Sequence, residues 1–259
     1  MKPYDRVQRS RAKERPTALS YIAALIDGFI ELHGDRRYQD DPAVVAGLGW
    51  LGSMPVTVIG IEKGGEIQDK IRRNFGSAHP EGYRKALRQM KLAEKFHRPV
   101  LCMVDTAGAF CGIGAEERGQ GQAIAENLCE MMGLRTPILS IVIGEGGSGG
   151  ALGLAVADEV WMMENAYYSV ISPEGAASIL WKDAARAPQA AEQLKMTAED
   201  LKGFGVIERI LPEDGAFEAR TASLKGEIME TFGRYRAMPV DKLLDQRYHK
   251  FRRIGGDVL

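Results

Sequence analysis

An α/β fold with parallel strand pairing is the class that this sequence predicts. Apolar segments rich in β-branched residues, typical of buried strands, are repeatedly followed by segments that read as helices. The most informative segment begins with the apolar run Pro137–Ile143, continues with five glycines within Gly144–Gly150, and ends in small and apolar helix formers. This order predicts a buried strand, a tight glycine turn and the start of a helix.

Before this segment, apolar spacing predicts a helix over Ala18–Leu32, and proline and glutamate in a first turn predict another over Pro80–His97. Apolar runs predict strands, and polar or glycine-bearing stretches predict the loops between them. The strands are Val44–Trp50, Val56–Glu62 and Pro99–Asp105, and the loops are Asp35–Pro42, Lys63–His79 and Thr106–Gly114.

A further helix is expected over Glu116–Met132, ahead of the strand and glycine turn. Beyond the turn, the predicted strands are Glu159–Met163, Tyr167–Val170 and Val206–Leu211, and the predicted helices are Pro173–Leu180, short helices to Lys202 and a basic helical region Ala216–Arg252. No linker or internal repeat divides the chain. We therefore expect one domain, with a helical N-terminal segment 1–34, a core 35–211 and a helical C-terminal segment 212–259.

Composition limits the classes of function. The 259 residues carry a formal net charge of −1, which gives no general reason to expect nucleic-acid binding. No apolar run reaches the length of about 18 residues that crosses a membrane, and the basic N-terminus lacks the apolar region of a secretory signal. The three cysteines, an odd number without C-x-x-C spacing, predict a reducing cytoplasm and no metal site in this chain.

The glycine turn favours a bound negative charge, because N–H groups at a helix start have no partner within the helix and lie at the positive end of its dipole. A P-loop is excluded, since no Lys followed by Ser or Thr comes after the glycines. A dinucleotide fingerprint is formally matched by Gly144, Gly146 and Gly149, with Glu164 twenty residues beyond Gly144. Its position in the middle of the chain, behind several strands, argues against it.

Two other interpretations of the turn involve acyl chemistry. A serine hydrolase is formally matched at Ser148, but the only histidine after it is His249, in a basic tail. An oxyanion hole of main-chain donors fits better, because small residues let a substrate approach the backbone closely.

Three more segments are candidates for contact with a substrate. The loop containing Arg73 could bind an anionic substrate, since arginine binds carboxylate or phosphate in a bidentate way. Asp105–Ala109 follows a predicted strand, where open α/β sheets place ligands. Ser172 is a plausible N-cap at another helix start.

Taken together, these segments resemble the alpha-subunit family of bacterial acetyl-coenzyme A carboxylase carboxyltransferases. The resemblance covers residues 4–253, and the combination of motifs is more specific than any one of them. The matching segments are Gly34–Arg36, Ile71–Gly76, Pro80–Arg88, Asp105–Ala109, Gly144–Ala151, Tyr168–Gly175 and Ile179–Lys182.

The resemblance implies a crotonase-like fold, a spiral of ββα units. It implies transfer of a carboxyl group from carboxybiotin, borne by a biotin carboxyl carrier protein, to acetyl-coenzyme A, giving malonyl-coenzyme A for fatty-acid biosynthesis. In such a reaction carboxybiotin releases CO₂, the biotin anion removes a proton from the acetyl group, and the enolate captures CO₂. Biotin, held covalently by the carrier and not by this chain, is the implied cofactor.

By resemblance, N–H groups of Gly149 and Gly150 are the catalytic groups and hold the ureido oxyanion of biotin. A β-branched side chain at Gly150 is expected to slow transfer by orders of magnitude and to leave assembly largely intact. The residues expected to bind substrate are Arg73, Asn74, Phe75, Gly76, Ala107, Gly108, Ala109, Gly146, Gly147, Ala151, Ser172 and Pro173.

The implied partners are a beta subunit with a four-cysteine zinc ribbon, in an α₂β₂ heterotetramer, together with the carrier protein and biotin carboxylase. The beta subunit would hold the thioester oxygen and most of coenzyme A, so this chain alone is expected to be inactive. ATP binding and a cytoplasmic location are further expectations. Many family members have a longer N-terminal helical extension, which concerns assembly and not the core chemistry.

Two alternatives stay open. One is a different crotonase-like acyl-coenzyme A carboxyltransferase or decarboxylase subunit. The other is a scaffold or nucleic-acid-binding subunit that uses the basic tail Lys242–Arg253, against which the net charge argues.

Overall fold

One mixed sheet forms the centre of the molecule. The computed structural model describes residues 1–256, and in that part of the chain eight strands pair in the order β1-β2-β3-β4-β5-β6-β8, with β7 beside the end of β5. The strands are β1 Asp27–Glu31, β2 Val44–Leu51, β3 Met54–Ile61, β4 Val100–Thr106, β5 Ile138–Gly147, β6 Glu159–Met163, β7 Tyr167–Ser169 and β8 Arg209–Leu211. Pairing is antiparallel among β1, β2 and β3 and parallel from β3 onward, which confirms the predicted class.

Helices cover the sheet, and the continuous apolar runs of β4 and β5 are buried along their whole length, as parallel strands usually are. Among the helices, α4 packs on α6, α2 packs on α11, and both α4 and α2 contact β3. The helices are α1 Pro3–Ser10, α2 Ala18–Leu25, α3 Ile67–Arg72, α4 Pro80–Lys95, α5 Ile113–Glu117, α6 Gln120–Gly133, α7 Ser148–Leu152, α8 Pro173–Trp181, α9 Ala187–Leu194, α10 Ala198–Gly203, α11 Phe217–Arg236 and α12 Val240–Arg253.

The helix predicted over Ala18–Leu32 is wrong in its second half. It ends at Leu25, and the following residues form β1, antiparallel to β2. Glycines in β2 make this possible, because a Cβ at Gly49 would lie 3.0 Å from the carbonyl oxygen of Asp27 and one at Gly47 would overlap that of Ile30. The sheet therefore begins inside the segment that was expected to be helical.

Two other stretches contain more structure than the sequence predicts. The loop expected over Lys63–His79 contains α3, and the single helix expected over Glu116–Met132 is divided into α5 and α6. Gly119 lies between them with a φ of 81°, a left-handed conformation that ends one helix and starts the next.

Arg247 anchors the last helix, α12, to the core. Its guanidinium makes two hydrogen bonds of 2.8 Å to the Asp158 carboxylate and donates to the carbonyl oxygens of Met131, Leu134 and Thr136. The side chains of Arg247 and Asp158 are 0% and 2% exposed. A residue of the basic tail is thus a buried structural partner.

We predict that Arg247→Leu lowers the free energy of unfolding by about 3–5 kcal/mol, because it leaves the Asp158 carboxylate buried without its charged partner. Urea denaturation followed by tryptophan fluorescence measures the change. Arg252→Leu, at an exposed position of the same helix, is the matched control and should change the free energy of unfolding by less than about 0.5 kcal/mol. Equal stability of the two variants would contradict this role of Arg247.

Candidate active site

Three parallel strands, β4, β5 and β7, end side by side at one edge of the sheet. Thr106 of β4 is paired with Gly146 of β5, and Gly147 of β5 with Ser169 of β7. The loops that follow these strands therefore start next to one another, at the edge where open α/β sheets place ligands. The structure brings the glycine turn against Ala107–Ala109, and the start of α8 follows β7 at the same edge.

A bulge in β5 shapes this edge. Val142 faces Val104 and Gly146 faces Thr106, so three residues of β5 lie opposite the single residue Asp105. The Asp105 carboxylate accepts the N–H of Glu145 at 2.8 Å. A Cβ at Gly144 would lie 2.7 Å from Oδ2 of this carboxylate, so the bulge requires glycine there.

The strand predicted to end at Ile143 therefore continues to Gly147. Because Gly144 and Gly146 lie within this strand and not in a strand-to-helix turn, the structure contradicts the dinucleotide fingerprint.

The glycines that follow the bulge allow two backbone segments to touch. A Cβ at Gly150 would lie 2.5 Å from the nitrogen of Ala109 and 2.8 Å from the carbonyl carbon of Gly108, and one at Gly147 would overlap the carbonyl of Ala107. A β-branched side chain at Gly150 would therefore push the two segments apart, and its effect on assembly stays a prediction.

The main-chain donors of the site lie in α7. Ser148, with a φ of 52°, starts this helix, Gly149 is half-buried and Gly150 is buried. N–H groups in a first turn have no partner within the helix. Since α7 has only five residues, its dipole is small, and the local N–H groups are what it offers to an anion. The hydroxyl of Tyr83 donates to the carbonyl oxygen of Gly150 at 3.2 Å and helps to fix the turn.

The segment Asn74–Gly76 packs against the end of β4 in an unusual conformation. Its three residues have φ angles of 47°, 53° and 78°, a left-handed run in which two members are not glycine. A Cβ at Gly76 would lie 2.8 Å from the carbonyl oxygen of Asp105, so close approach to β4 requires glycine. Phe75 stays half exposed beside it, and such strained backbone is typical of functional sites.

Arg73 forms its hydrogen bonds with other residues of this chain. Its guanidinium donates to Asp69 at 3.0 Å and to the carbonyl oxygen of Pro42 at 2.7 Å, and the residue is buried. Its contact with substrate stays a prediction, and the role that its bonds show is to hold the Asn74–Gly76 segment.

The remaining predicted residues lie at helix starts. Ser172 caps α8, as predicted, by accepting the N–H of Gly175 at 3.1 Å, and Pro173 is the buried first residue of that helix. Ala151 is buried in α7. Because β7 leads directly into α8, Ser172 and Pro173 follow the strand that is paired with the glycine-bearing end of β5.

A buried charge cluster behind the turn escaped the sequence analysis. The Lys63 ammonium lies 2.8 Å from Asp105 and 2.5 Å from Glu145, whose side chains are only 6% and 8% exposed. A cavity of about 230 Å³ opens beside it, next to Phe75 and Ala107. A single glutamate within an otherwise apolar and glycine-rich strand was the signal that could have revealed a buried cation.

Lys63 and Glu145 are both charged at neutral pH. Burial acts to raise the pKa of Glu145, but Lys63 and Arg11 outweigh burial and hold that pKa below its usual value. Burial acts to lower the pKa of Lys63, but Asp105 and Glu145 outweigh it and raise that pKa.

Larger cavities lie elsewhere, one of about 620 Å³ along Arg88 and Lys91 of α4 and one of about 550 Å³ around Lys250 of α12. Within residues 1–256, no group of three or more His, Cys, Asp or Glu side chains is placed to hold a metal ion. In the same range, every helix is too short or too polar to cross a membrane.

The chain has extensive similarity to known proteins. A family model described as acetyl co-enzyme A carboxylase carboxyltransferase-like matches residues 1–255. A relative named acetyl-coenzyme A carboxylase carboxyl transferase subunit alpha, from Ruminiclostridium cellulolyticum, is 60% identical over 256 residues, which are 98% of each chain. One of the same name from Streptococcus equi subsp. equi is 56% identical over 248 residues, 95% of this chain and 97% of its own. The expected ATP binding finds no support in these matches.

Two solved structures show the fold. Transcarboxylase 12S aligns with a TM-score of 0.69 at 17% identity, over 85% of this chain and 42% of its own. A Pseudomonas malonate decarboxylase hetero-tetramer in complex with coenzyme A aligns with a TM-score of 0.69 at 18% identity, over 93% of this chain and 98% of its own. The predicted crotonase-like fold is confirmed. With a family model that spans residues 1–255 and relatives of this similarity, the chain belongs to the acetyl-coenzyme A carboxylase carboxyltransferase family.

Proposed function

We propose that this chain is the alpha half of a biotin-dependent carboxyltransferase, which moves a carboxyl group from carboxybiotin to acetyl-coenzyme A and yields malonyl-coenzyme A. The observation that carries the proposal is the contact of Gly147 and Gly150 with the backbone of Ala107–Ala109 at the sheet edge. This contact holds the start of α7, which carries the proposed main-chain donors, against the segment that follows β4, in a chain 60% identical to a relative of that name.

In this proposal, the N–H groups of Gly149 and Gly150 receive the ureido oxygen of biotin as it becomes anionic. Removal of one hydrogen-bond donor from an enzyme's oxyanion hole costs about 2.7–4 kcal/mol of transition-state stabilisation. The space beside Gly108 is open, since a Cβ there would meet no atom within 4 Å. Biotin supplies the base that takes the acetyl proton, so this chain needs to supply position and donors and not a side-chain base.

Exposed apolar side chains support a partner that covers the site. Ile113, which starts α5 after the β4 loop, is 80% exposed, and Val170, directly after β7, is 79% exposed. Ile179 and Leu180 of α8 are exposed as well, and these four residues are called the exposed apolar surface. We propose that the beta subunit covers it in an α₂β₂ assembly and holds the thioester oxygen and coenzyme A.

The same proposal places the reaction within a larger carboxylase. In this proposal, biotin carboxylase carboxylates the biotin on the carrier protein, and the carrier protein then brings the carboxybiotin to the site. We propose a cytoplasmic location, which the three free cysteines support.

A second candidate is a decarboxylase or another acyl-coenzyme A carboxyltransferase subunit. The observation that favours it is the similarity in fold to the malonate decarboxylase hetero-tetramer, which extends over 98% of that chain.

Co-expression with the cognate beta subunit should yield a complex that forms malonyl-coenzyme A from acetyl-coenzyme A and the carboxylated carrier protein. This chain alone should give none, because half of the site is missing. Malonyl-coenzyme A formation, measured by liquid chromatography, is the readout. Preference for a different acyl-coenzyme A, or decarboxylation of malonyl-coenzyme A that does not depend on biotin, would favour the second candidate instead.

Gly150→Ala should lower the rate of transfer in that complex by about 100-fold, because its Cβ forces α7 away from Ala109 and such displacements are costly. Gly121→Ala, an exposed glycine of α6 whose Cβ meets no atom within 4 Å, is the control and should transfer at the wild-type rate. A wild-type rate in an assembled Gly150→Ala complex would contradict the assignment of the site to this turn.

A further inference from the structure

Arg11, which directly follows α1, joins two separate parts of the candidate active site. Its Nε lies 2.7 Å from Oε2 of Glu145, and its Nη1 lies 2.8 Å from Oε1 of Glu174. Glu145 directly precedes Gly146 in β5, and Glu174 directly follows Pro173 in the first turn of α8. One guanidinium thus connects the strand of the glycine turn to the helix start that carries Ser172 and Pro173.

Neighbouring hydroxyl groups hold the two carboxylates in place. The hydroxyl of Tyr167 donates to Glu145 Oε2 at 2.8 Å, and that of Tyr4, in α1, donates to Glu174 Oε1 at 3.1 Å. The ammonium of Lys63 forms an ion pair with the other carboxylate oxygen of Glu145, Oε1. The N-terminal helix therefore reaches the site through Tyr4 and Arg11, and it also packs on α9 and β5.

We infer that Arg11 is a positioning residue for carboxyl transfer, which sets the spacing between the glycine turn and the Ser172–Pro173 helix start. The inference rests on the proposed function. A planar guanidinium holds two carboxylates at a fixed separation, which a lysine ammonium on a flexible stem does not. Because Glu145 lies in the bulge, a shift of its side chain moves the backbone that leads into Gly149 and Gly150.

The test uses the complex with the beta subunit and three variants. Arg11→Met should lower kcat about tenfold or more while the KM for acetyl-coenzyme A stays unchanged, because misplaced donors affect the transition state and not the binding of coenzyme A. Arg11→Lys should restore little, since the lysine side chain is shorter and its single nitrogen replaces the separate Nε and Nη1 atoms that contact Glu145 and Glu174. Arg9→Met, an exposed position of α1, should match the wild type in both constants.

A second measurement needs no activity. Hydrogen exchange of the amides in residues 144–152 should be faster in the isolated Arg11→Met chain than in Arg9→Met, with the rest of the sheet unchanged. If the wild-type complex is inactive, the proposed function falls, yet this exchange still tests the bridge. Three results would each overturn the inference. They are a wild-type kcat in Arg11→Met, a wild-type kcat in Arg11→Lys, and hydrogen exchange that rises evenly over the whole chain.

Discussion

The Asp105 carboxylate fills the gap where β5 leaves the register of β4, and the geometry of the site depends on it. It accepts the N–H of Glu145 and the ammonium of Lys63, both at 2.8 Å. Without it, the bulge would bury an unsatisfied N–H group, at a cost of about 1–3 kcal/mol. With the bulge satisfied, β5 turns from β4 to β7, and Gly147 and Gly150 meet the backbone of Ala107–Ala109.

This arrangement divides the work between backbone and side chains. The groups that face the substrate in the proposed mechanism are peptide N–H groups, which carry no titratable proton and need no rotamer to be fixed. The charged side chains lie behind them, where Lys63 and Arg11 neutralise Glu145 and hold the strand. Such a site is preorganised by the fold itself, which is the condition under which main-chain donors stabilise a developing anion most effectively.

Local patterns predict most of the fold and part of the site. Continuous apolar runs and helix-start residues locate β4 and α4 to within two residues at either end, because neighbours in the sequence decide those elements. The short-range glycine and alanine motifs likewise locate the turn and its facing loop. β1 is missed because it exists only by pairing with the glycines of β2, and the extension of β5 is missed because its bulge depends on Asp105, 40 residues away. Arg73 and Arg247 look like free surface cations in the sequence, since nothing local shows the carbonyl oxygens that they bind.

The ion pair between Arg247 and Asp158 also constrains when the protein can finish folding. The two residues are 89 positions apart, so at synthesis rates of about 5–20 residues per second the carboxylate waits roughly 4–18 s for its guanidinium. During that interval Asp158, which accepts the N–H of Ile138 at the start of β5, cannot be buried as an ion without its partner. Burial of the start of β5 with Asp158 in its charged form therefore depends on the last helix of the chain, although β5 itself lies in the middle of the sequence.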